Sequence, residues 1–188
     1  MLIEKARKAI EEKKIIVYPT DTLYALGGDA TRSEVVKKVF DLKERPYDMP
    51  LSITISDIEE IEEYCFMNEL AYKIAEKFLP GPITLVLKKK HSLPDLLGKE
   101  KIGIRIPANE IARKIAKGLP ITSTSANKHG REEPKSIDIA KKQLGSNVAL
   151  YIDAGSLPGR ASTVIDVSEG RIKILREGAI SREEIYGI

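Results

Sequence analysis

The chain has 188 residues, enough to close one hydrophobic core, and its 42% apolar and 31% charged composition excludes both a disordered chain and a membrane-embedded one. Its single cysteine, Cys65, excludes an intramolecular disulfide framework and a multi-cysteine metal site, and a net charge of +3 is too small to argue for a nucleic-acid partner. No apolar run approaches the roughly 20 residues of a membrane span. Residues 1–14 read as a charged amphipathic helix without the apolar centre of a leader peptide, so one cytoplasmic domain over residues 1–188 is expected.

That helix is followed by the apolar run Ile15-Ile16-Val17-Tyr18, which reads as a buried strand stopped by Pro19. Residues 20–30 read as a loop. Val35, Val36, Val39, Phe40 and Leu42 then recur at helical spacing, with Ser33 as the expected cap. Leu51, Ile53 and Ile55 alternate as in a strand, Asp57 is expected to cap a short acidic helix, and Asn68 to begin another that ends at Leu79-Pro80-Gly81. Residues 83–87 and 102–106 read as strands. A helix over residues 109–117 stops at Gly118, residues 121–123 form a short strand, and a helix over 136–144 stops at Gly145. Residues 148–152 are a further strand, and 163–167 and 171–175 pair as a hairpin across Ser168-Glu169-Gly170. Strands and helices alternating this way give an α/β fold, and the hairpin makes the sheet mixed.

Polar residues and glycines interrupt the apolar pattern at four places where strands or helices end, which is where ligands bind in open α/β sheets. The first is the segment from Tyr18 through Thr20, Asp21 and Thr22 to Gly27-Gly28. It suits either a ligand loop or a turn in which Thr20 and Asp21 bond their own backbone. The second, Lys43-Glu44-Arg45-Pro46, offers two cations to phosphate oxygens, or a favourable charge at a helix C-terminus. The third, Ile121-Thr122-Ser123-Thr124-Ser125-Ala126-Asn127, carries too many neutral donors and acceptors for one turn and points to a polar ligand. In the fourth, Ser162 and Thr163 open one hairpin strand and Arg176 ends the other, so a short turn brings them to one rim, unless Arg176 is a plain surface charge. Lys88-Lys89-Lys90 reads as a solvated strand end rather than an RNA contact.

The sequence has no GxxxxGK[ST] loop and no GxGxxG after a strand. His91 and His129 do not pair with Cys or acidic residues at metal-ligand or triad spacing. The chemistry such residues suit is positioning and charge stabilisation rather than covalent catalysis.

Taken together the segments resemble the YrdC-domain family, the threonylcarbamoyl-adenylate synthases. The resemblance rests on Pro19-Thr20-Asp21-Thr22 with Tyr24 and Gly27, on Lys43-x-Arg45-Pro46 with Pro50-Leu51, and on Pro80-Gly81-Pro82-Ile83-Thr84. It continues through Ile104-Arg105-Ile106-Pro107, Ser123-Thr124-Ser125-Ala126-Asn127, Ser162-Thr163-Val164-Ile165-Asp166 and Leu175-Arg176-x-Gly178-Ala179-Ile180. These stand in the family's order along nearly the whole chain.

The resemblance implies a twisted α/β domain with helices flanking a mixed sheet and a deep basic cavity. It implies an enzyme that joins L-threonine, bicarbonate and ATP, with Mg2+, into threonylcarbamoyl-AMP and pyrophosphate, for a transfer enzyme that modifies tRNA. Carried over by motif, Thr22, Arg105, Ser123 and Ser162 bind threonine, and Lys43, Arg45, Ser125, Asn127 and Arg176 hold ATP, Lys43 and Arg45 acting on the reacting phosphates. No dedicated metal site is implied. The chain departs from the family at Thr54, where many relatives have histidine, and at Lys128-His129-Gly130-Arg131, where Ser-Gly is common. It also reads as the short form without a second domain. The rival readings are an RNA-binding module, or weak RNA binding beside the chemistry, and a family paralogue of unsettled role or a carbamoyl-transfer domain like that of hydrogenase maturation proteins; three Phe, seven Tyr and no Trp give RNA stacking little support.

Overall fold

The computed structural model describes residues 1–187. The expected N-terminal helix is α1 (Leu2–Glu11), whose apolar stripe buries Ala6 and Ile10. The apolar run after it forms β1 (Ile16–Tyr18), buried at all three residues. Side chains alternate across a strand, so Ile16 and Tyr18 pack with α1 while Val17 joins the larger core on the opposite face. An unbroken apolar run thus marks a strand covered by helices on both sides.

Residues 20–30, expected as loop, contain β2 (Ala25–Gly27), antiparallel to β1. Three residues, Ala-Leu-Gly, carry little strand signature of their own; their pairing with β1 makes them a strand. Gly27 is required there, since a Cβ would lie 2.6 Å from the Tyr18 ring. In α2 (Ser33–Lys43), Val35, Val36, Val39 and Phe40 point inward, but Ser33 is the first helical residue rather than the cap. Asp29 shapes the preceding turn instead, accepting from the amide and hydroxyl of Thr31.

β3 (Ser52–Thr54) follows, then a short 3-10 turn (Ile58–Glu60) and α3 (Ile61–Tyr64). Asp57 stands before the turn without capping it, because its carboxylate takes the Ser56 hydroxyl. β4 (Cys65–Phe66) leads to α4 (Glu69–Phe78), where Asn68 Oδ1 accepts from Ala71 N at 2.9 Å as a cap should. Next come β5 (Ile83–Lys89), β6 (Lys101–Arg105), α5 (Glu110–Ala116), β7 (Ile121–Ser125), α6 (Ile137–Leu144) and β8 (Leu150–Tyr151). Asn109 and Ser136 cap α5 and α6 through their side chains. The expected hairpin is β9 (Thr163–Asp166) and β10 (Lys173–Arg176), with an irregular register between Ile174 and Arg176. A last helix, α7 (Arg182–Tyr186), opens on a capping box of Ser181 and Glu184.

The ten strands form one mixed sheet in the order β10-β9-β5-β6-β3-β7-β2-β1-β8, with β4 attached to β5. β1/β8, β3/β6 and β5/β9 pair parallel, and the rest antiparallel. Helices α1 and α5 cover one face; α2, α4, α6 and α7 cover the other, over the larger core. The architecture is the expected single-domain α/β fold with a mixed sheet and flanking helices. The basic run at the end of β5 is not simply solvated: Lys89 is buried, donating to Leu93 O and paired with Asp95 at 2.7 Å. No helix among the described residues is long and apolar enough to cross a membrane.

Candidate active site

A cavity of about 270 Å³ opens over the middle of the sheet. Its floor is a row of small side chains contributed by adjacent strands. Ala25 of β2 pairs with Ser125 of β7, Ser123 of β7 pairs with Ser52 of β3, and Thr84 of β5 pairs with Val164 of β9. Between β3 and β5 lies Gly103 of β6, where a Cβ would fall 2.4 Å from the Ser52 hydroxyl and 3.0 Å from the Thr84 methyl. Strand residues this small leave space above the sheet that larger ones would fill. The hydroxyls of the third sequence segment therefore floor a cavity rather than decorate a surface loop.

Three guanidinium groups wall this floor. Arg105, at the end of β6, is buried and donates Nη2 to Asp21 Oδ1 at 2.6 Å and to Thr22 Oγ1 at 2.8 Å. Its Nε has no partner, and neither does the other carboxylate oxygen of Asp21. Thr20 makes the turn that presents these groups: its hydroxyl accepts from the amides of Thr22 and Leu23 and donates to Leu23 O. Both readings of the first segment thus hold at once, with Thr20 building the turn and Thr22 facing the cavity.

Arg176 reaches across the hairpin as expected. It donates twice to Ser162 O, at 2.8 and 3.1 Å, and once to Ser162 Oγ at 3.2 Å, while Ser162 Oγ meets Thr84 Oγ1 at 3.0 Å. Thr163 secures the segment behind: its hydroxyl accepts from Gly178 N and Ile180 N and donates to Ile180 O. Desolvation, then the charge of Arg105, lower the Arg176 pKa, with Glu133 opposing them. Arg176 lies at the solvent edge, and a guanidinium stays charged under such shifts, so they report its neighbours rather than a change of state. Arg45 completes the wall. Glu44 adopts a left-handed φ of 53° after α2, and Arg45 then donates to Met49 O and Pro50 O, bracing the 46–50 loop. Its pKa is lowered by desolvation and then by Arg176. The one carboxylate in the wall is Glu133, held there because Pro134 O accepts from Tyr24 N. Three arginines against one glutamate make the lining basic.

Thr22, Arg45, Arg105, Ser123, Ser125, Ser162 and Arg176 therefore meet in one cavity. Lys43 and Asn127 do not reach it. Lys43 is 2% exposed, not a solvated helix-end charge, and its Nζ donates to Ser125 O at 2.5 Å, Asn127 O at 2.6 Å and Asn127 Oδ1 at 3.3 Å. Burial, followed by the charge of Arg45, pushes its pKa down to about 7. Asn127 is equally committed: Oδ1 also accepts from Ser125 Oγ at 2.6 Å, and Nδ2 donates to Arg131 O. This network backs the cavity wall. Thr54 is buried too, accepting from Tyr18 Oη at 3.2 Å; it lies on the same face of β3 as Ser52 but outside the cavity lining. The segment 128–131 packs on α2 and α6, with His129 N on Lys43 O and Lys128 N on Gln143 Oε1. Sequence reasoning did not single out Asp21 beyond its motif, nor Ser52, Thr84 or Glu133. Asp21 had a signal in its place beside Thr22; Glu133 had none.

The Sua5_yciO_yrdC family model, described as "Telomere recombination", matches residues 8–178. A putative threonylcarbamoyl-AMP synthase of Methanocaldococcus jannaschii is 40% identical over 185 residues, which is 98% of this chain and 89% of that protein. The crystal structure of Pyrococcus abyssi Sua5 complexed with L-threonine superposes with a TM-score of 0.94 at 36% identity. The match covers 98% of this chain but 56% of that one, so the chain spans about half the length of the Pyrococcus relative. Escherichia coli YciO, an uncharacterized protein, superposes with a TM-score of 0.89 at 29% identity, covering 98% of this chain and 92% of that one. With a family model spanning its fold and cavity, this chain belongs to the Sua5/YciO/YrdC family.

Proposed function

We propose that the protein is an L-threonylcarbamoyladenylate synthase, joining L-threonine, bicarbonate and ATP into threonylcarbamoyl-AMP and pyrophosphate. The observation that carries this reading is the single cavity in which Arg45, Arg105 and Arg176 surround a floor of hydroxyl groups. The similarity to proteins named threonylcarbamoyl-AMP synthase and to a threonine-bound Sua5 supports it. The threonine amine adds to bicarbonate and releases water, giving a carbamate. A carbamate oxygen then attacks the α-phosphorus of ATP, the bond to the β-phosphate bridging oxygen breaks, and pyrophosphate leaves. Such a transfer asks the protein mainly for alignment and positive charge.

In this reading Arg105 and Thr22 take the threonine carboxylate, Ser123 and Ser162 line the amino-acid end, and Arg45 and Arg176 face the polyphosphate. Ser125 lines the cavity and carries both ATP contact and wall, whereas Lys43 and Asn127 shape that wall from behind. Magnesium enters with ATP as part of the substrate. The product is labile material for a separate transfer enzyme acting on tRNA, a cytoplasmic reaction, and the basic rim allows at most weak contact with RNA.

The test is to incubate the purified protein with ATP, bicarbonate and labelled threonine. Pyrophosphate and a threonylcarbamoyl-AMP peak are expected only when all three are present, and ADP with phosphate would overturn the adenylate chemistry. The match to YciO over nearly its whole length favours one second reading, a paralogue acting on a different small substrate. Pyrophosphate release that ignores threonine would support that reading.

A further inference from the structure

Beside the cavity the structure holds an ion pair that is only half made. Arg105 and Asp21 meet through one contact, Nη2 to Oδ1 at 2.6 Å, with side chains 9% and 12% exposed. Buried arginine–carboxylate pairs usually close two parallel bonds, yet here Nε and Oδ2 are both enclosed and both without a partner. The same Nη2 also donates to the Thr22 hydroxyl at 2.8 Å, so it is shared between two acceptors while Nε has none. A buried polar atom left unpaired opposes folding, so such atoms recur where a ligand completes them. What is missing is one acceptor beside the guanidinium and one donor beside the carboxylate.

An α-amino acid supplies both, because it carries a carboxylate and an ammonium group two bonds apart. We propose that Asp21 is the acceptor for the substrate ammonium, so that Arg105 and Asp21 together receive the zwitterion; this rests on the reading of the cavity as an amino-acid site. The pair keeps each partner compensated while the site is free, and the substrate adds the contacts the pair lacks. Asp21 is absent from the cavity wall proper and stands directly behind Arg105 and Thr22, which line it, so its carboxylate must turn past them toward the ligand. The competing acceptor is Glu133, the only carboxylate in the cavity wall among the described residues. It makes no hydrogen bond or ion pair through its side chain among the described residues, so nothing fixes its carboxylate toward the amino-acid end of the floor.

The test compares L-threonine with 2,3-dihydroxybutanoate, its analogue with a hydroxyl in place of the ammonium, by calorimetry on the whole protein. Asp21→Asn keeps the shape and removes the charge. It is expected to weaken threonine at least tenfold while the analogue changes by less than threefold. Equal loss of both ligands would mean that Asp21 only holds Arg105 in place, and unchanged threonine binding would remove Asp21 from the site; either overturns the proposal. A selective loss of threonine in Glu133→Gln, with Asp21→Asn unaffected, assigns the ammonium to Glu133 and overturns it as well. If Asp21→Asn does not melt cooperatively, Asp21→Glu replaces it, and the threonine preference over the analogue must then fall at least threefold; an unchanged preference overturns the proposal. A wild-type protein that binds no threonine overturns the functional reading itself and this inference with it, whereas threonine binding that survives Asp21→Asn overturns this inference alone.

Discussion

Two polar regions lie on opposite sides of one wall. In front, Arg105 with Thr22 and Arg176 with Ser162 face the cavity, with Arg105 Nε left unpaired; behind, Lys43 and Asn127 spend their donors on the Ser125, Asn127 and Arg131 carbonyls. Both regions come from strand-end or helix-end segments rich in polar residues, and nothing in residue type separates them. What separates them is direction. Ser123 and Ser125 lie two apart on β7 and share the face that floors the cavity, while the chain turning away at Ala126 carries the Asn127 side chain behind it. Function therefore sits where donors are left over, and rigidity where they are used up.

If that division is right, the largest effect lies in the rear region and falls on stability. Lys43→Ala removes the donor shared by Ser125 O, Asn127 O and Asn127 Oδ1 in a site closed to water. Leaving buried acceptors unpaired costs about 1–3 kcal/mol each, and Asn127 Oδ1 keeps the Ser125 hydroxyl, so the loss should be about 3 kcal/mol in denaturant unfolding. Arg45→Ala, which gives up two partly exposed bonds to loop carbonyls, should lose no more than about 1 kcal/mol. Equal stability for the two variants would show that Lys43 is a solvated helix-end charge and that the rear network is not a support.

The helices and longer strands were legible because their burial follows period: α2 from Val35 to Phe40, and β5 and β6 from their apolar runs; the helix starts at Asn68, Asn109 and Ser136 were legible too, whereas the expected caps Ser33 and Asp57 do not cap. β2 was not legible, since its identity comes from pairing with β1 and β7 rather than from Ala-Leu-Gly. Much of the site was legible as well: seven of the nine residues carried over by motif from the family resemblance do meet in the cavity. Lys43 and Asn127 show the limit. A lysine at a helix end has enough reach to turn inward, and only the left-handed turn at Glu44 decides that Lys43 goes under the wall while Arg45 stays in it. Glu133 enters from a segment far along the chain through one backbone bond, Tyr24 N to Pro134 O, which no local pattern announces.

The front region should give the next effect, and it should fall on turnover. Arg176 lies at the solvent edge, so Arg176→Ala should cost about 1 kcal/mol of stability or less. Its guanidinium stands among Arg105, Arg45 and Glu133 at the cavity, where charge develops if a phosphate is transferred. Loss of one such group typically removes about 2–3 kcal/mol of transition-state stabilisation, or roughly 30- to 150-fold in kcat/KM. Steady-state pyrophosphate release beside a melting curve decides the matter. A variant that unfolds easily but keeps normal turnover per folded molecule would place Arg176 with the rear group.

The last effect is the most specific to Lys43, because it follows the state of one proton. An unfolded lysine titrates near 10.4, whereas burial pushes Lys43 down to about 7 in the folded protein. Between those values the unfolded chain holds a proton that the folded chain has released, so unfolding takes up a proton and stability rises with pH. The slope approaches about 1.4 kcal/mol per pH unit and disappears below pH 7, where both states are protonated, and above about 10.4, where neither is. The geometry tolerates the loss: a neutral amine keeps two N–H groups for Ser125 O at 2.5 Å and Asn127 O at 2.6 Å, and gives up the 3.3 Å contact to an oxygen already bonded by Ser125 Oγ. Lys43→Met lacks this titration and shares every other one, so the stability difference between wild type and variant should widen from pH 7 to 9. A difference that stays flat over that range would mean that three carbonyl oxygens alone hold the ammonium charged, and that Lys43 keeps a full positive charge directly beneath the proposed phosphate site.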